Sequence, residues 1–413
     1  MAEDHYDDLE IRSPDAREAD LMAALVKQIA HAKTHSDWYA RTLADIDPRE
    51  ITNRQALAAL PVTRKSSLIE AQRSAPPLAG LNATDVGDLA LVFTSPGPIF
   101  EAMGDRKDYY SGARSVYAAG LRKSDIVHNS FSYHLTPGAW IFHSAARTVG
   151  CPVIPAGIGN SEQQAQVMAH FKPKGHAGTP DYLKTLLEKG DELGLDLTSV
   201  KSAVVGAGPL FPPLRDWYAA RGIQVFNTFG TAELGIVAYE TTAQNGMVIV
   251  EDKIVEILVP GTSEPVKNIG DVGELVVTLL SPEVPLIRFA TGDLTALTDK
   301  ASPCGRTNYR MLGWMGRADQ TTKIRGMFVH PQQIADVIKR HPAILKARLV
   351  VDAVDGKDVP TLRVESTTSD HSFENAIAET FQTVCKVRSA IEFVDAGSLP
   401  NDGKIIDDIR VHE

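Results

Sequence analysis

The segment FNTFGTAELG places two residues where they could bind a metal-bound nucleotide. Glu233 follows a strand-like run, and a carboxylate beside hydroxyl groups at the carboxyl end of a strand suits Mg²⁺ coordination. Phe229 precedes Thr231 by two positions, where an aromatic ring could stack on a flat base. A simpler alternative is a strand-to-helix turn that has Glu233 at the helix start, where acids are favoured.

A second group of charged residues lies further along the chain. Asp293 follows a Thr-Gly turn and could accept hydrogen bonds from a ribose diol, while Arg317 could contact ribose or phosphate and Asp319 could be a hinge carboxylate. Lys404 lies in a turn near the C-terminus and could bring a point charge to a transferring phosphate or carboxylate. Taken alone, ordinary surface turns also explain the first three, and a solvated side chain explains Lys404.

The elements around these residues indicate an α/β fold. From residue 87 strand-like and helix-like segments alternate, which is typical of a parallel sheet with helices on both faces. Ligands bind such sheets at the carboxyl ends of the strands, so we expect a site in the loops at 94–98, 131–137, 206–209 and 228–233. The acidic residues 1–20 are expected to form a mobile or surface-draped arm, and 21–45 are expected to be helical.

The pattern changes after residue 246, where strands separated by Gly, Pro and Asn turns predict a β-barrel-like subdomain over about 246–315. We therefore predict a large N-terminal domain, residues 1–318, with a parallel αβ-layered sheet and this subdomain. A small C-terminal α+β lid domain, residues 319–413, follows it. The stretch 285–326 is expected to be both a wall of the nucleotide pocket and a hinge.

Composition narrows the class of protein. The chain has 413 residues, 43% hydrophobic and 23% charged, with a net charge of −10 and no clustered cations for nucleic acid. Its three cysteines form no disulfide framework or metal spacing, and there is no targeting peptide or membrane-length apolar run. We expect a cytoplasmic protein that binds neither nucleic acid nor a membrane.

Five motifs in order resemble the acyl-adenylate-forming superfamily, and within it the phenylacetate–CoA ligase branch. They are Phe229-Gly-Thr-Ala-Glu233, Thr291-Gly-Asp293, Gly316-Arg317-Ala-Asp319, Lys323-Ile-Arg325-Gly326 and Gly403-Lys404. The phrases WYARTL, LPVTRK, DIVHNSFSYHLTPG, PLIRFATGDLTAL and CGRT carry the branch resemblance, which covers nearly the whole chain.

The resemblance implies a role for each matching residue. Glu233 would bind Mg²⁺ and Lys404 would bridge the carboxylate and the α-phosphate. Nucleotide binding would fall to Gly206, Ala207, Gly208, Phe229, Gly230, Thr231, Asp293 and Arg317. Asp319 would be the hinge, and Lys323, Arg325 and Gly326 would line a CoA tunnel. Tyr133, His134 and Trp140 would form the acyl pocket, although core packing also explains Trp140 and a surface position explains His134.

Two positions depart from the family pattern. The family's phosphate loop is rich in Ser, Thr and Gly and ends in lysine, whereas residues 93–100 read FTSPGPIF, with two prolines and no lysine. Proline has no N–H for a phosphate, so Thr94, Ser95 and Gly97 are the residues left to hold it. Ala232 stands where the family has Ser or Thr before the metal-binding glutamate.

The resemblance implies an ATP-dependent carboxylate–CoA ligase that forms an acyl-adenylate, acts on an aromatic acid, and uses ATP, Mg²⁺ and CoA. It also allows a homodimer. One alternative is an adenylating enzyme that passes the acyl group to a carrier protein or another nucleophile. Another is a non-catalytic homologue that binds a nucleotide or an acyl group, which the altered phosphate loop motivates.

Overall fold

The computed structural model describes residues 4–95, 99–208, 210–324, 327–354, 357–401 and 403–410. Three predicted site residues, Gly97, Arg325 and Gly326, lie outside this part of the chain, as do the side chains of Asp319 and Lys323. Among the described helices, none is long and apolar enough to cross a membrane.

The N-terminal segment is docked against the protein, so of the two expectations for residues 1–20 the mobile arm was wrong. Helix α1 (Pro14–His35) begins where Ser13 accepts a hydrogen bond from the Ala16 amide. Before it, the Glu10 side chain is fully buried and accepts hydrogen bonds from Arg306 and Tyr239. Acidic composition suggested solvent exposure, but this carboxylate has a buried partner far away in sequence.

Helices and short strands follow α1 along the chain. They are α2 (Asp37–Thr42), α3 (Arg54–Ala58), β1 (Thr63–Arg64), α4 (Lys65–Ser74), β2 (Leu91–Ser95), β3 (Ile99–Met103) and α5 (Ala113–Ala118). Strands β2 and β3 pair as an antiparallel hairpin. The sequence analysis expected a loop at 94–98 and did not predict the second strand, β3.

The predicted alternation is confirmed over the next hundred residues. It comprises β4 (Val127–Asn129), α6 (Gly138–Val149), β5 (Val153–Pro155), α7 (Ser161–Phe171), β6 (Gly175–Gly178), α8 (Pro180–Glu192), β7 (Ser202–Val205), α9 (Pro212–Ala220) and β8 (Gln224–Thr231). The strands order as β5-β4-β6-β7-β8 and every neighbouring pair is parallel. Their carboxyl ends therefore meet at one edge, where ligands bind in such folds.

The chain then continues the large sheet and builds a second one. Their strands are β9 (Gly235–Tyr239), β10 (Met247–Ile249), β11 (Lys253–Leu258), β12 (Gly273–Leu279), β13 (Leu286–Thr295), β14 (Leu297–Thr298) and β15 (Arg310–Met311). Strands β9, β10, β15 and β14 extend the large sheet beyond β8 with antiparallel pairing. The second sheet has the order β1-β13-β12-β11, in which β1 is parallel to β13.

The C-terminal part of the chain has its own apolar core, formed by residues between Ile324 and Ile406. Its elements are β16 (Thr322–Ile324), β17 (Met327–Val329), α10 (Pro331–Arg340), β18 (Ile344–Val354), β19 (Lys357–Ser366), α11 (His371–Cys385), β20 (Ala390–Val394) and β21 (Ile406–Asp408). Strands β18 and β19 form an antiparallel hairpin, and β21 pairs with β18 in parallel.

A fully buried arginine connects β11, one edge strand of the second sheet, to the segment that precedes β1, the other edge strand. Arg288 of β13 has a left-handed backbone (φ +47°), and its guanidinium donates to the Glu256 carboxylate at 3.0 and 3.1 Å. The same group donates to the carbonyls of Ala58, Leu60 and Ser263. Burial raises the pKa of Glu256, and the charge of Arg288 offsets part of that increase.

We expect Arg288→Met to lower the free energy of unfolding by about 3–5 kcal/mol, because it leaves the Glu256 carboxylate buried without its partner. Adding Glu256→Gln should recover the part of the loss that comes from the unpaired charge. Chemical denaturation of the three proteins measures both effects.

Arg73→Ala is the matched control, since Arg73 and Glu70 form an ion pair whose side chains are both largely exposed. Such pairs contribute little to stability, so no measurable change is expected. Wild-type stability in Arg288→Met would contradict the role assigned to the buried guanidinium.

Candidate active site

Glu233 lies in the tight turn that joins β8 to β9. The two strands pair as an antiparallel hairpin with an irregularity at Phe229 and Gly230, so the strand-to-helix alternative for this segment was wrong. A Cβ atom on Gly230 would lie 2.4 Å from the Gly235 carbonyl oxygen, and therefore the neck of the hairpin requires glycine. Thr231 accepts a hydrogen bond from the Leu234 amide through its side chain, which fixes the turn around Glu233.

The Glu233 carboxylate is buried in a charged environment. Its side chain is 4% exposed, and the Lys65 ammonium at the start of α4 lies 2.8 Å from Oε1. In the described part of the chain, neither carboxylate oxygen receives a well-aligned hydrogen bond. Lys65 was not among the predicted site residues, because the motif LPVTRK gives no sign that its lysine meets a turn 168 positions later.

A second buried carboxylate, Glu101 of β3, lies close to this ion pair. Ser95 donates a hydrogen bond of 2.6 Å to Glu101 Oε1, whereas Oε2 has no partner among the described residues. Burial raises the pKa of Glu101 to about 7, the Ser95 hydrogen bond and Lys65 lower it, and the charge of Glu233 raises it further. Sequence reasoning missed Glu101 because it treated residues 94–98 as a loop and did not examine the strand after it.

These oxygens fit a hard divalent cation, because buried carboxylate oxygens that lack hydrogen bonds are suited to bind one. Within the ranges that the structure describes, no group of three or more His, Cys, Asp or Glu side chains could hold a metal. A cation at Glu233 would therefore complete its coordination with substrate oxygens and water, as Mg²⁺ does in nucleotide sites.

Two of the predicted phosphate-binding residues, Thr94 and Ser95, lie at the end of β2. Thr94 pairs with Phe100, and its amide donates to the Leu135 carbonyl oxygen of the loop after β4. Ser95 is buried and its hydroxyl is engaged with Glu101. The hairpin is thus fastened to the carboxyl edge of the large sheet.

The predicted base-binding residues meet where β7 and β8 end. Ala207 has a left-handed backbone (φ +57°) within the Gly206–Gly208 turn, and a Cβ atom on Gly206 would lie 2.8 Å from the Thr228 hydroxyl. Phe229 is partly buried and packs against the main apolar core. The structure therefore places this turn directly beside the strand that carries Phe229.

Asp293, Arg317 and Trp314 form a hydrogen-bonded group. Trp314 Nε1 donates to Asp293 Oδ1 at 2.9 Å, and Arg317 Nη1 donates to the same oxygen at 3.2 Å. Gly292 has φ +75°, and a Cβ atom there would lie 2.6 Å from the Arg317 guanidinium, so only glycine allows this approach. Sequence reasoning missed Trp314, although it lies inside the phrase LGWMGR just before Gly316.

The predicted acyl-pocket residues are brought together only in part. The Tyr133 and Trp140 rings meet edge to face with centroids 5.3 Å apart, and His143 joins them, 3.2 Å from the Tyr133 hydroxyl. Burial raises the pKa of Tyr133 to about 12 and lowers that of His143. His134 lies on an exposed turn outside this aromatic cluster, and His143 was not predicted.

Lys404 lies in the C-terminal part, just before β21. Its ammonium is half exposed and donates to the Asp407 carboxylate at 3.1 Å. The Gln320 side chain binds both neighbours of Lys404, accepting from the Ile405 amide at 2.9 Å and donating to the Gly403 carbonyl at 3.2 Å. Gln320 belongs to the short 3-10 helix Ala318–Gln320, so the lysine loop is fastened to the residue next to the predicted hinge.

No protein-family model matches the chain. The chain is 32% identical to a phenylacetate–coenzyme A ligase of Thermus thermophilus over 83% of its length and 79% of that enzyme's. It is 31% identical to a phenylacetate–coenzyme A ligase of Pseudomonas putida over 80% of its length and 77% of that enzyme's.

Solved structures of 2-hydroxyisobutyryl-CoA ligase have the same fold. An open conformation of that enzyme, in complex with 2-HIB-AMP and CoA, superimposes with a TM-score of 0.86 at 24% identity, over 98% of this chain and 93% of that one. Its postadenylation state superimposes with a TM-score of 0.75 at 26% identity, over 97% of this chain and 91% of that one. Its thioesterification state superimposes with a TM-score of 0.71 at 26% identity, over 98% of this chain and 92% of that one.

The match to these curated ligases over more than three quarters of their length, on an adenylating-enzyme fold, shows that the chain belongs to the phenylacetate–CoA ligase family of acyl-adenylate-forming enzymes.

Proposed function

We propose that the protein ligates an arylacetate-like carboxylic acid to CoA through an acyl-adenylate, at the expense of ATP. The observation that carries the proposal is the hydrogen-bonded group formed by Asp293, Arg317 and Trp314. Both donors reach Oδ1 of Asp293, which orients the carboxylate so that it can accept hydrogen bonds from a ribose diol. A site of this kind holds the nucleotide while the reaction takes place at its α-phosphate.

In the first half-reaction a carboxylate oxygen of the acid attacks the α-phosphorus of ATP, and the bond to pyrophosphate breaks. Lys404 would bring its charge to the carboxylate and the α-phosphate oxygens, while Asp293 and Phe229 hold the nucleoside. Fixed charges of this kind act where charge develops in the transition state. A divalent cation bound at Glu233 would neutralise the phosphates.

In the second half-reaction the CoA thiolate attacks the acyl carbonyl and AMP leaves. For this step the C-terminal part, residues 319–413, would turn about Asp319 so that Lys404 withdraws and the segment at Lys323 faces the tunnel. The 2-hydroxyisobutyryl-CoA ligase of the same fold has been solved in open, postadenylation and thioesterification states, which supports a lid that moves between the two steps. The Gln320 contacts would carry the lysine loop along with the hinge helix.

The aromatic cluster supports an aromatic acid as the substrate. Tyr133, Trp140 and His143 offer flat faces against which an aryl ring packs well, and the curated relatives compared above are phenylacetate–CoA ligases. The test is pyrophosphate release from Mg-ATP across arylacetic, benzoic and short hydroxy acids, with and without CoA. Release with an arylacetic acid and formation of its acyl-CoA are expected, and no release with any acid would contradict ligase activity.

One observation favours a second candidate, a homologue that binds an acyl-adenylate or nucleotide without turnover. The segment FTSPGPIF lacks the lysine and most of the hydroxyl groups that grip the outer phosphates. Calorimetry with a non-hydrolysable acyl-AMP analogue and with ATP separates the candidates, because this one requires binding without acid-dependent pyrophosphate release.

Asp293→Ala is expected to lower kcat/KM for ATP by roughly 10- to 150-fold, as hydrogen bonds to a charged group contribute about 1.5–3 kcal/mol. Trp314→Phe should have a smaller effect in the same direction, because it removes only one donor that orients the carboxylate. Asp299→Asn, on an exposed part of the same segment, is the control and should leave ATP kinetics unchanged. An unchanged kcat/KM in Asp293→Ala would remove Asp293 from the nucleotide site.

Lys404→Ala is expected to slow pyrophosphate release by roughly 10²–10³-fold, which is typical of losing one fixed charge at such a centre. Acyl-CoA formation from supplied acyl-AMP should be retained, since Lys404 has withdrawn by then. Gln320→Ala should slow the same half-reaction less, because it loosens the lysine loop without removing the charge. Lys339→Ala, an exposed lysine of α10, is the control. Equal losses in both half-reactions would contradict this division of roles.

A further inference from the structure

Two buried carboxylates with unsatisfied oxygens, Glu101 of β3 and Glu233 of the β8–β9 turn, lie close enough to interact electrostatically. Glu101 is 7% exposed, and its Oε2 has no hydrogen-bond partner among the described residues. Glu233, with a side chain that is 4% exposed, has no well-aligned hydrogen bond at either oxygen. The two groups interact electrostatically with each other and with Lys65. Two like charges that are buried near each other destabilise the protein unless cations balance them.

The positive charge at this place is insufficient. Lys65 contributes one ammonium group, which lies 2.8 Å from Glu233 Oε1, whereas Glu101 and Glu233 carry two negative charges once both are ionised. Residues 93–100 add no lysine or arginine. A triphosphate brought to the hairpin would therefore face net negative charge, in contrast to the usual phosphate-binding loop.

We propose that Glu101 and Glu233 together bind one divalent cation, and that Lys65 occupies this position until the cation displaces it toward the phosphates. The proposal rests on the proposed adenylation and names the second acidic ligand of its cation site. Mg²⁺ in nucleotide sites is commonly bound by one or two carboxylates with phosphate oxygens and water. The Ser95 hydrogen bond would fix the rotamer of Glu101 and leave Oε2 for the metal.

The displacement of Lys65 by the cation would also compensate for the altered phosphate loop. The two positive charges of a divalent cation balance the two negative charges of the ionised carboxylates. The displaced ammonium group of Lys65 therefore becomes available to the outer phosphates. Lys65 is one-third exposed and starts a helix, so its long side chain can move without unfolding α4. A lysine from a distant segment would thus supply the charge that the altered loop lacks.

The test is Mn²⁺ binding to the nucleotide-free full chain, followed by electron paramagnetic resonance. Glu101→Gln and Glu233→Gln should each weaken Mn²⁺ binding by about tenfold or more, the range seen when a metal site loses a supporting group. Lys65→Met should strengthen it by a similar factor, because the competing ammonium is gone. A purely structural role of Lys65 does not predict this opposite sign.

Glu274→Gln is the matched control, since Glu274 is a buried carboxylate paired with Arg64, the residue beside Lys65, and Mn²⁺ binding should not change. Thermal unfolding in EDTA checks that each variant is folded. If Glu101→Gln binds Mn²⁺ like the wild type, if Lys65→Met binds it more weakly, or if the wild type shows no saturable binding, the proposal is overturned.

Failure of the proposed function is detected separately. Acid-dependent pyrophosphate release that persists with unchanged Mn²⁺ binding in Glu101→Gln overturns the two-carboxylate site and leaves the ligase intact. Mn²⁺ binding with the expected changes, but no pyrophosphate release with any acid, supports the cation site and contradicts the ligase.

Discussion

The buried guanidinium of Arg288 is the interaction on which the active-site geometry depends. It lies on β13 and binds the carbonyls of Ala58 and Leu60, immediately before β1. Strand β1 pairs with β13 and leads directly into Lys65, while β13 runs on to Asp293. Lys65, which lies beside Glu233, and Asp293, which lies beside Trp314, are thus positioned by the strand pair β1–β13. The buried charge of Arg288 holds this pair in register.

Much of the fold could be predicted because its signals are local. Alternating apolar segments, helix stops such as Gly150 and the Pro180 helix start lie within short windows of sequence. The structure agrees with them over β4 to β8. The β8–β9 and β2–β3 hairpins were not predicted, since a short turn with a glutamate or a proline also fits a loop before a helix. Pairing with the strand that follows directly decides between these alternatives.

Site residues could be predicted only where a short, local sequence motif contains them. Asp293, Arg317, Glu233 and Lys404 were found from local phrases, although their roles remain predictions. Lys65 and Glu101 were missed because their meaning depends on a partner in another element, which neither composition nor spacing reveals. Glu10 shows the same limit, because its charge suggested exposure whereas its partner Arg306 lies 296 positions away.

The separation of 296 positions between Glu10 and Arg306 has a consequence for the order in which the chain folds. Glu10 leaves the ribosome long before Arg306, and Tyr239, its other buried partner, also follows after more than two hundred residues. The first residues must therefore remain undocked until nearly the whole N-terminal part has been synthesised. Contacts of such high sequence separation slow folding, because the entropy of closing a long loop is lost before the contact forms. The N-terminal segment is consequently among the last parts of the large domain to reach its place.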